Sequence, residues 1–490
     1  MRKERDSRDA LTRVSEYANF VIDGTIVAGP HVRNAARRHF ADLEHGWQRG
    51  LYFDNDAAQH VLDFFELSLK LSEGKFEGVP FLLHPSQVFK LGSLFGWMQA
   101  PRHPSDPEEG RFIFDADERE ELGVLPVRRF QRYYGEEGKG NGKSPFAGGI
   151  GLYGLMADGE AGAQVFAAAA NKDQASILFR DAVKMVKKAP LLKKKLKFSG
   201  GEGKEFNIAH LESESFFRPM SKEGGKTGAG LRPHFALCDE IHEMPDRGIL
   251  ETLERGFKSR EQPLLLMITN SGSDRNSVCW EEHELACQVA AGTKTPDENF
   301  TFVGEPIDDK TFSYVCALDK GDDPLHDTSC WIKVNPLLGE ILKKSYLEGV
   351  AKQARLQPGK KNGILRLHFC VWTDSDEAWI SREMVEGAMV DFDPYEEHRD
   401  ASVALGVDLS GARDMTVVAH AVRTGEAEFE REDGSIARLP TYDAWVEAWT
   451  PGDTLLEREE NDKQPYSKWV DDKYLHAPPG ERVRYDHVAA

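Results

Sequence analysis

No apolar run in this 490-residue chain reaches the roughly 20 residues that a membrane-crossing helix needs, so no helical membrane span is expected. The N-terminal stretch MRKERDSRDALTRV is charged but has no apolar core behind it, which argues against a secretory leader. No pair among the six cysteines (Cys238, Cys279, Cys287, Cys316, Cys330 and Cys370) has the C-x-x-C spacing of a zinc or redox site. Buried, reduced thiols in the cytosol of the producing cell are the expectation. There is no internal repeat. Acidic residues outnumber basic ones, 82 to 62: the formal net charge is −20, which argues against a surface coated with nucleic acid but allows a local basic strip. With these classes set aside, 40% hydrophobic and 29% charged residues describe an ordinary globular chain, long enough for two or three domains.

Apolar spacing predicts a helix over 60–69 and another over 88–98, with an acidic loop over 104–121. From about 124 the text alternates between short apolar strands and helices. Strands are expected at 165–170, 234–238 and 264–268, with an amphipathic helix over 174–188. This alternation predicts an α/β fold with a mostly parallel sheet covered on both faces. The segment 128–134 is more polar than a buried strand usually is. Residues 300–380 look irregular, with loops at 322–324 and 358–363, and 453–473 reads as an exposed tail. A new strand starts near 403, so a domain boundary is placed between 380 and 400. The division expected is a helical region over 1–80, a nucleotide-binding domain with linker over 81–385, and a further domain over 386–490.

Glu137-Gly138-Lys139-Gly140-Asn141-Gly142-Lys143-Ser144 follows the phosphate-loop pattern G-x-x-x-x-G-K-[ST] except at its first glycine, which is Glu137. In such a loop Gly138, Gly140, Asn141 and Gly142 turn backbone N–H groups toward phosphates. Lys143 bridges the β- and γ-phosphates and Ser144 ligates Mg²⁺. The strand at 234–238 ends in Asp239-Glu240, which suits a metal-holding Asp239 and a water-activating Glu240. The third strand ends in Thr269-Asn270-Ser271-Gly272, polar groups placed to sense a γ-phosphate, with Thr269 the residue singled out. Gln87, just before an apolar helix, is a candidate to read the adenine edge. Each motif alone also reads as an ordinary turn, strand end or surface residue; their order along the chain argues for a RecA-like ATPase.

With these elements in order, the chain resembles the large terminase subunit of tailed bacteriophages. The resemblance runs through residues 29–39, Tyr52-Phe53-Asp54, Pro85-Ser86-Gln87, Phe95-Gly96-Trp97 and Asn171-Lys172-Asp173-Gln174-Ala175. It continues in Asp239-Glu240-Ile241-His242-Glu243, Ser259-Arg260-Glu261-Gln262-Pro263-Leu264, Asn335-Pro336 and Trp379-Ile380-Ser381. Such terminases often lack the first loop glycine and carry a basic residue four positions before the lysine, here Lys139.

The resemblance implies an ATP-driven motor that moves double-stranded DNA into a procapsid, joined to a C-terminal RNase H-like α/β nuclease. The nuclease would use Mg²⁺, with Mn²⁺ also possible, on Asp408 and Asp414. No second strand's carboxylate is recognised before the sequence stops, so an incomplete nuclease is expected and cutting by this chain is left open. The implied partners are double-stranded DNA, a portal protein, a small terminase subunit and further copies in a ring. The implied place is the bacterial host cytoplasm, docked transiently on the portal and absent from the mature virion. Lys139 from the same subunit and Arg260 from a neighbour are candidates to neutralise transition-state charge. The basic run containing Lys187, Lys188, Lys193 and Lys194 reads either as a DNA contact or as a solvated helix end. The rival readings are a helicase-like ATPase and a decayed prophage protein that only binds partners.

Overall fold

A computed structural model describes residues 5–72, 74–220, 230–373, 382–409, 415–430, 435–462 and 464–488. It divides into two compact units, Met1–Ser381 and Arg382–Ala490. In the first, β1 (Leu51–Phe53), β2 (Trp97–Gln99) and β3 (Val127–Arg128) form a small antiparallel sheet.

The main sheet has eight strands. They are β4 (Arg132–Glu136), β5 (Gln164–Ala168), β6 (Leu196–Ser199), β7 (Asn207–His210), β8 (Ser215–Met220), β9 (Pro233–Asp239), β10 (Leu264–Thr269) and β11 (Thr311–Val315). Their order across the sheet is β11-β4-β10-β9-β5-β8-β7-β6. The six strands from β11 to β8 run parallel; at the edge β7 runs antiparallel to β8, and β6 antiparallel to β7. Every residue of β9 and β10 is buried, as the apolar runs predict for central strands covered on both faces. The helix Lys143–Met156 is apolar nearly all round and buried along its length, the pattern of a core helix rather than a surface one. The N-terminal helices belong to the same unit. The Tyr17 and Tyr314 hydroxyls meet at 2.8 Å, and Arg38 donates to the carbonyls of Asp308 and Thr311.

Three expectations need correction. The polar segment near 130 does supply a buried strand, β4, because its polar groups find distant partners. Arg132 pairs with Glu254 and, at 2.6 Å, with Glu282. The loop expected at 358–363 opens a helix, Pro358–Phe369, with proline in its first turn, where the missing N–H costs nothing. The acidic loop contains the helix Ala116–Leu122, capped by the Asp115 side chain on the Glu118 N–H and closed by left-handed Gly123.

In the second unit β12 (Ala404–Asp408), β13 (Thr416–Glu430) and β14 (Ile436–Trp449) form an antiparallel sheet in chain order. Among the described residues no helix is long and apolar enough to cross a membrane. All six cysteines are buried and free.

Candidate nucleotide site

The parallel register brings three strand ends together. Glu136 of β4 lies opposite Thr269 of β10, and Ile268 of β10 lies opposite Asp239 of β9. Loops leaving the carboxyl ends of parallel strands are where α/β sheets bind ligands. The phosphate loop leaves β4 there and runs straight into the helix Lys143–Met156, whose positive end faces the loop. Gly140 and Gly142 have φ of 93° and 70°, in the left-handed region that favours glycine. Gly138 is needed for a different reason: a Cβ there would collide with Asn335 Oδ1 and stand 2.9 Å from the His368 carbonyl. The loop's glycine requirement therefore starts one residue later than the usual pattern.

Asn141 is buried and holds the loop's shape. Its amide donates to the Gly138 carbonyl at 2.7 Å and to Asn335 Oδ1 at 2.8 Å, and its oxygen accepts from the Leu337 N–H at 3.1 Å. Lys143 Nζ donates to the Glu137 carbonyl at 2.8 Å and to Asn270 Oδ1 at 2.7 Å. Asn270 in turn donates to Glu240 Oε2 at 3.1 Å. Ser144 Oγ donates to Asp239 Oδ2 at 3.0 Å. The two halves of the site, one on β4 and one on β9, are thus joined by two short side-chain bridges.

Ser144 and Asp239 present hard oxygen donors side by side, a set that fits Mg²⁺. Burial pushes the Asp239 carboxyl up, against the pull of Lys143 and the Ser144 hydrogen bond. Burial also pushes Glu240 up to about 7, again opposed by Lys143, with Asp239 adding to the rise. The Glu240 backbone sits at φ 50°, in the left-handed region, a strain of order 1–3 kcal/mol that tends to persist at functional sites. Its side chain is still 32% exposed, so water reaches it. His242 Nδ1 is 3.3 Å from Glu240 Oε2; burial holds this imidazole down at about 4, so it is neutral near pH 7.

If Glu240 acts as the base it must be ionised to work, so kcat/KM for ATP is expected to climb with pH up to about 7 and level off above. The stability effect has the opposite sign. A carboxyl raised from 4.5 to about 7 binds its proton more tightly in the fold, so the thermal midpoint falls as pH rises through that window. A flat kcat/KM profile between pH 5.5 and 8 would remove Glu240 as the titrating base.

Some expected site residues take other parts. Thr269 Oγ1 donates to the Asn270 carbonyl and accepts from the His242 N–H, so it braces the strand end, while Asn270 beside it makes the bridge. Gln87 Oε1 accepts from the His84 N–H at 3.0 Å, capping the helix Pro85–Gly96. The start of that helix lines a cavity of about 360 Å³ together with Val32, Tyr314, Pro336 and Leu338. Lys139 is exposed on the loop, and its charge is felt at Glu240. Arg260 is not brought to the site. It braces the opposite, amino-terminal edge of β5 and β9, pairing with Glu160 at 2.5 Å and donating to the carbonyls of Gly162 and Arg232.

Lys187 pairs with Glu205 at 2.5 Å and Lys188 with Glu77, whereas Lys193 and Lys194 are exposed beside the edge strand β6. Asp408 is exposed at the end of β12. Asp414 and Trp379-Ile380-Ser381 lie outside the described residues. Among the described residues no three His, Cys, Asp or Glu side chains are gathered to hold a metal.

One buried cluster has no counterpart in the sequence reading. Glu136, next to the loop, accepts from Ser271 Oγ at 2.6 Å, Tyr134 OH at 3.0 Å and Trp372 Nε1 at 3.2 Å, and meets His283 Nδ1 at 2.8 Å. Burial would push its carboxyl up; the His283 charge and these donors hold it below the usual value. The cluster ties β4 to the end of β10. Trp372 lies 236 residues from Glu136, so no local pattern signals the cluster.

A family model described as the terminase large subunit ATPase domain matches residues 125–288, and one for the endonuclease domain matches 305–431. The chain is 25% identical over 440 residues to the terminase large subunit of Enterobacteria phage HK97, covering 88% of this chain and 73% of that one. It is 24% identical over 288 residues to protein YmfN of Escherichia coli K12, covering 57% of each. The crystal structure of the HK97 large terminase aligns at 22% identity with a TM-score of 0.48, over 88% of this chain and 76% of that one.

Proposed function

Because the chain belongs to the terminase large-subunit family, with its ATPase and endonuclease domains, we propose that the cleft over β4, β9 and β10 hydrolyses ATP to drive double-stranded DNA into a procapsid. The observation that carries the reading is the bridge Lys143–Asn270–Glu240, which joins the phosphate-gripping residue to the base. Lys143 leaves its carbonyl partners to hold the β- and γ-phosphates. Mg²⁺, held by Ser144 and Asp239, supplies charge neutralisation on those phosphates when bound. Ionised Glu240 takes the proton of the attacking water. When Lys143 turns to the nucleotide it gives up the Asn270 oxygen, while the Asn270 amide still holds Glu240 in place. The cavity walled by Pro85, Tyr314 and Pro336 receives the base. Lys139 adds positive charge from the same chain, and a basic group from a neighbouring copy, Arg260 being the candidate, completes the site.

Exposed Lys193 and Lys194 are offered to the DNA backbone. A portal protein, a small terminase subunit and a ring of copies complete the motor, working in the host cytoplasm.

The test is phosphate release by the purified chain with and without linear duplex DNA and with EDTA. Turnover abolished by EDTA is expected. Duplex DNA should raise it severalfold, and that stimulation should fade as salt rises, because phosphate contacts release counterions. Turnover indifferent to both EDTA and DNA would count against a motor.

A further inference from the structure

Glu137, the residue that breaks the usual phosphate-loop pattern, is almost wholly buried, and one carboxylate oxygen pairs with the Lys90 ammonium at 2.5 Å. Lys90 is equally buried, with its ammonium 4.9 Å from the Phe146 ring centre and 4.8 Å from that of Tyr314. The second Glu137 oxygen has no hydrogen-bond partner among the described residues. A buried pair of this kind is poor at stabilising a fold, since apolar side chains of similar volume often do as well or better. Stability is therefore a weak reason for its presence.

Its position supplies a better one. Lys90 lies on the helix Pro85–Gly96, whose first turn lines the 360 Å³ cavity. Glu137 is the hinge-point of the phosphate loop: its N–H donates to the Thr269 carbonyl at 3.3 Å, and its carbonyl accepts from Lys143 at 2.8 Å. One ion pair thus connects the wall of the base cavity to the residue on which Lys143 rests.

We propose that the Lys90–Glu137 pair is a positioning element that sets the spacing between the base cavity and the phosphate loop, so that one ATP molecule meets both without prior rearrangement. The inference rests on the nucleotide reading above. Neither side chain faces the reacting atoms, and the Glu240 bridge is held by separate bonds. Loss of the pair therefore weakens ATP binding and leaves the chemical step alone, because preorganisation is what the ligand loses.

The experiment compares wild type, Glu137→Gln, Lys90→Met and the double variant of the full chain. It measures steady-state ATP turnover, equilibrium binding of a fluorescent ATP analogue, and thermal midpoint. Each single change should raise KM and the analogue's Kd roughly tenfold while kcat stays within about threefold. The double variant should be no worse than the poorer single, since the second change removes a bond already broken. A purely structural pair would lower the thermal midpoint and leave KM of the folded protein unchanged. Unchanged KM in the singles, or effects that multiply in the double, would overturn the proposal. Should the singles not fold, Glu137→Asp keeps the charge but shortens the reach: a severalfold higher KM supports the proposal and an unchanged one overturns it. If wild type itself neither binds nor hydrolyses ATP, the nucleotide reading falls and this inference with it. ATP binding by wild type with unchanged variants overturns this inference alone.

Discussion

Lys143→Ala is expected to lower ATP turnover by about a hundredfold or more, at least the cost of removing one preorganised donor aimed at transition-state charge. The expectation follows from where the ammonium sits. It is buried and closes the loop by resting on the Glu137 carbonyl and on Asn270, a short swing from the loop N–H groups that cradle phosphate. Alanine removes the cation proposed to face the β- and γ-phosphates and also the bond that links Lys143 to Asn270. Both binding and chemistry should suffer, so KM rises and kcat falls together. The fold should hold, because position 143 opens the helix Lys143–Met156 and alanine is the best helix former. Phosphate release, read beside the far-ultraviolet spectrum and thermal midpoint, checks this. A folded Lys143→Ala chain within threefold of wild-type turnover would mean that the loop does not grip a nucleotide.

How much of this site could be read from the text depends on how local each cause is. Strands β9 and β10 were legible because a fully buried central strand has to be a short apolar run, and each ends abruptly in polar residues. The loop from Gly138 to Ser144 was legible because left-handed backbone at Gly140 and Gly142 demands glycine whatever surrounds it. Strand β4 was harder. Arg132 looks out of place in a core strand until Glu254 and Glu282, more than a hundred residues away, are seen to neutralise it. The same blindness attaches to Glu137: a missing glycine reads as a defect until Lys90 is placed beside it and Gly138 is seen pressed against Asn335. Thr269 and Asn270 stand next to each other, and no spacing rule says which side chain turns to the cleft; alternation along the strand end decides it. Gln87 was visible as a polar residue before a helix, but its capping bond to His84 depends on backbone geometry that composition does not reveal.

Glu240→Gln separates the base from everything else at the site, and kcat should fall by about 10² to 10⁴, the usual contribution of a positioned base. Glutamine has the same shape, and its carbonyl oxygen can still accept from Asn270 as Glu240 Oε2 does at 3.1 Å. The Lys143–Asn270 bond and the Ser144–Asp239 bond are untouched, so KM for ATP should stay within about threefold. What is lost is the ability to take a proton, and with it the rise of kcat/KM up to about pH 7. Stability gives an independent reading of the same residue. Burial disfavours the charged carboxylate, so a neutral amide removes a desolvation penalty, and at pH 8 the variant's thermal midpoint should be no lower than wild type. A tight-binding, stable chain with almost no turnover and a flat pH profile is the combined signature. If Glu240→Gln instead lost ATP affinity and kept kcat, the carboxylate would be a binding group, and the water-activating role would have to be sought at another residue of the cleft.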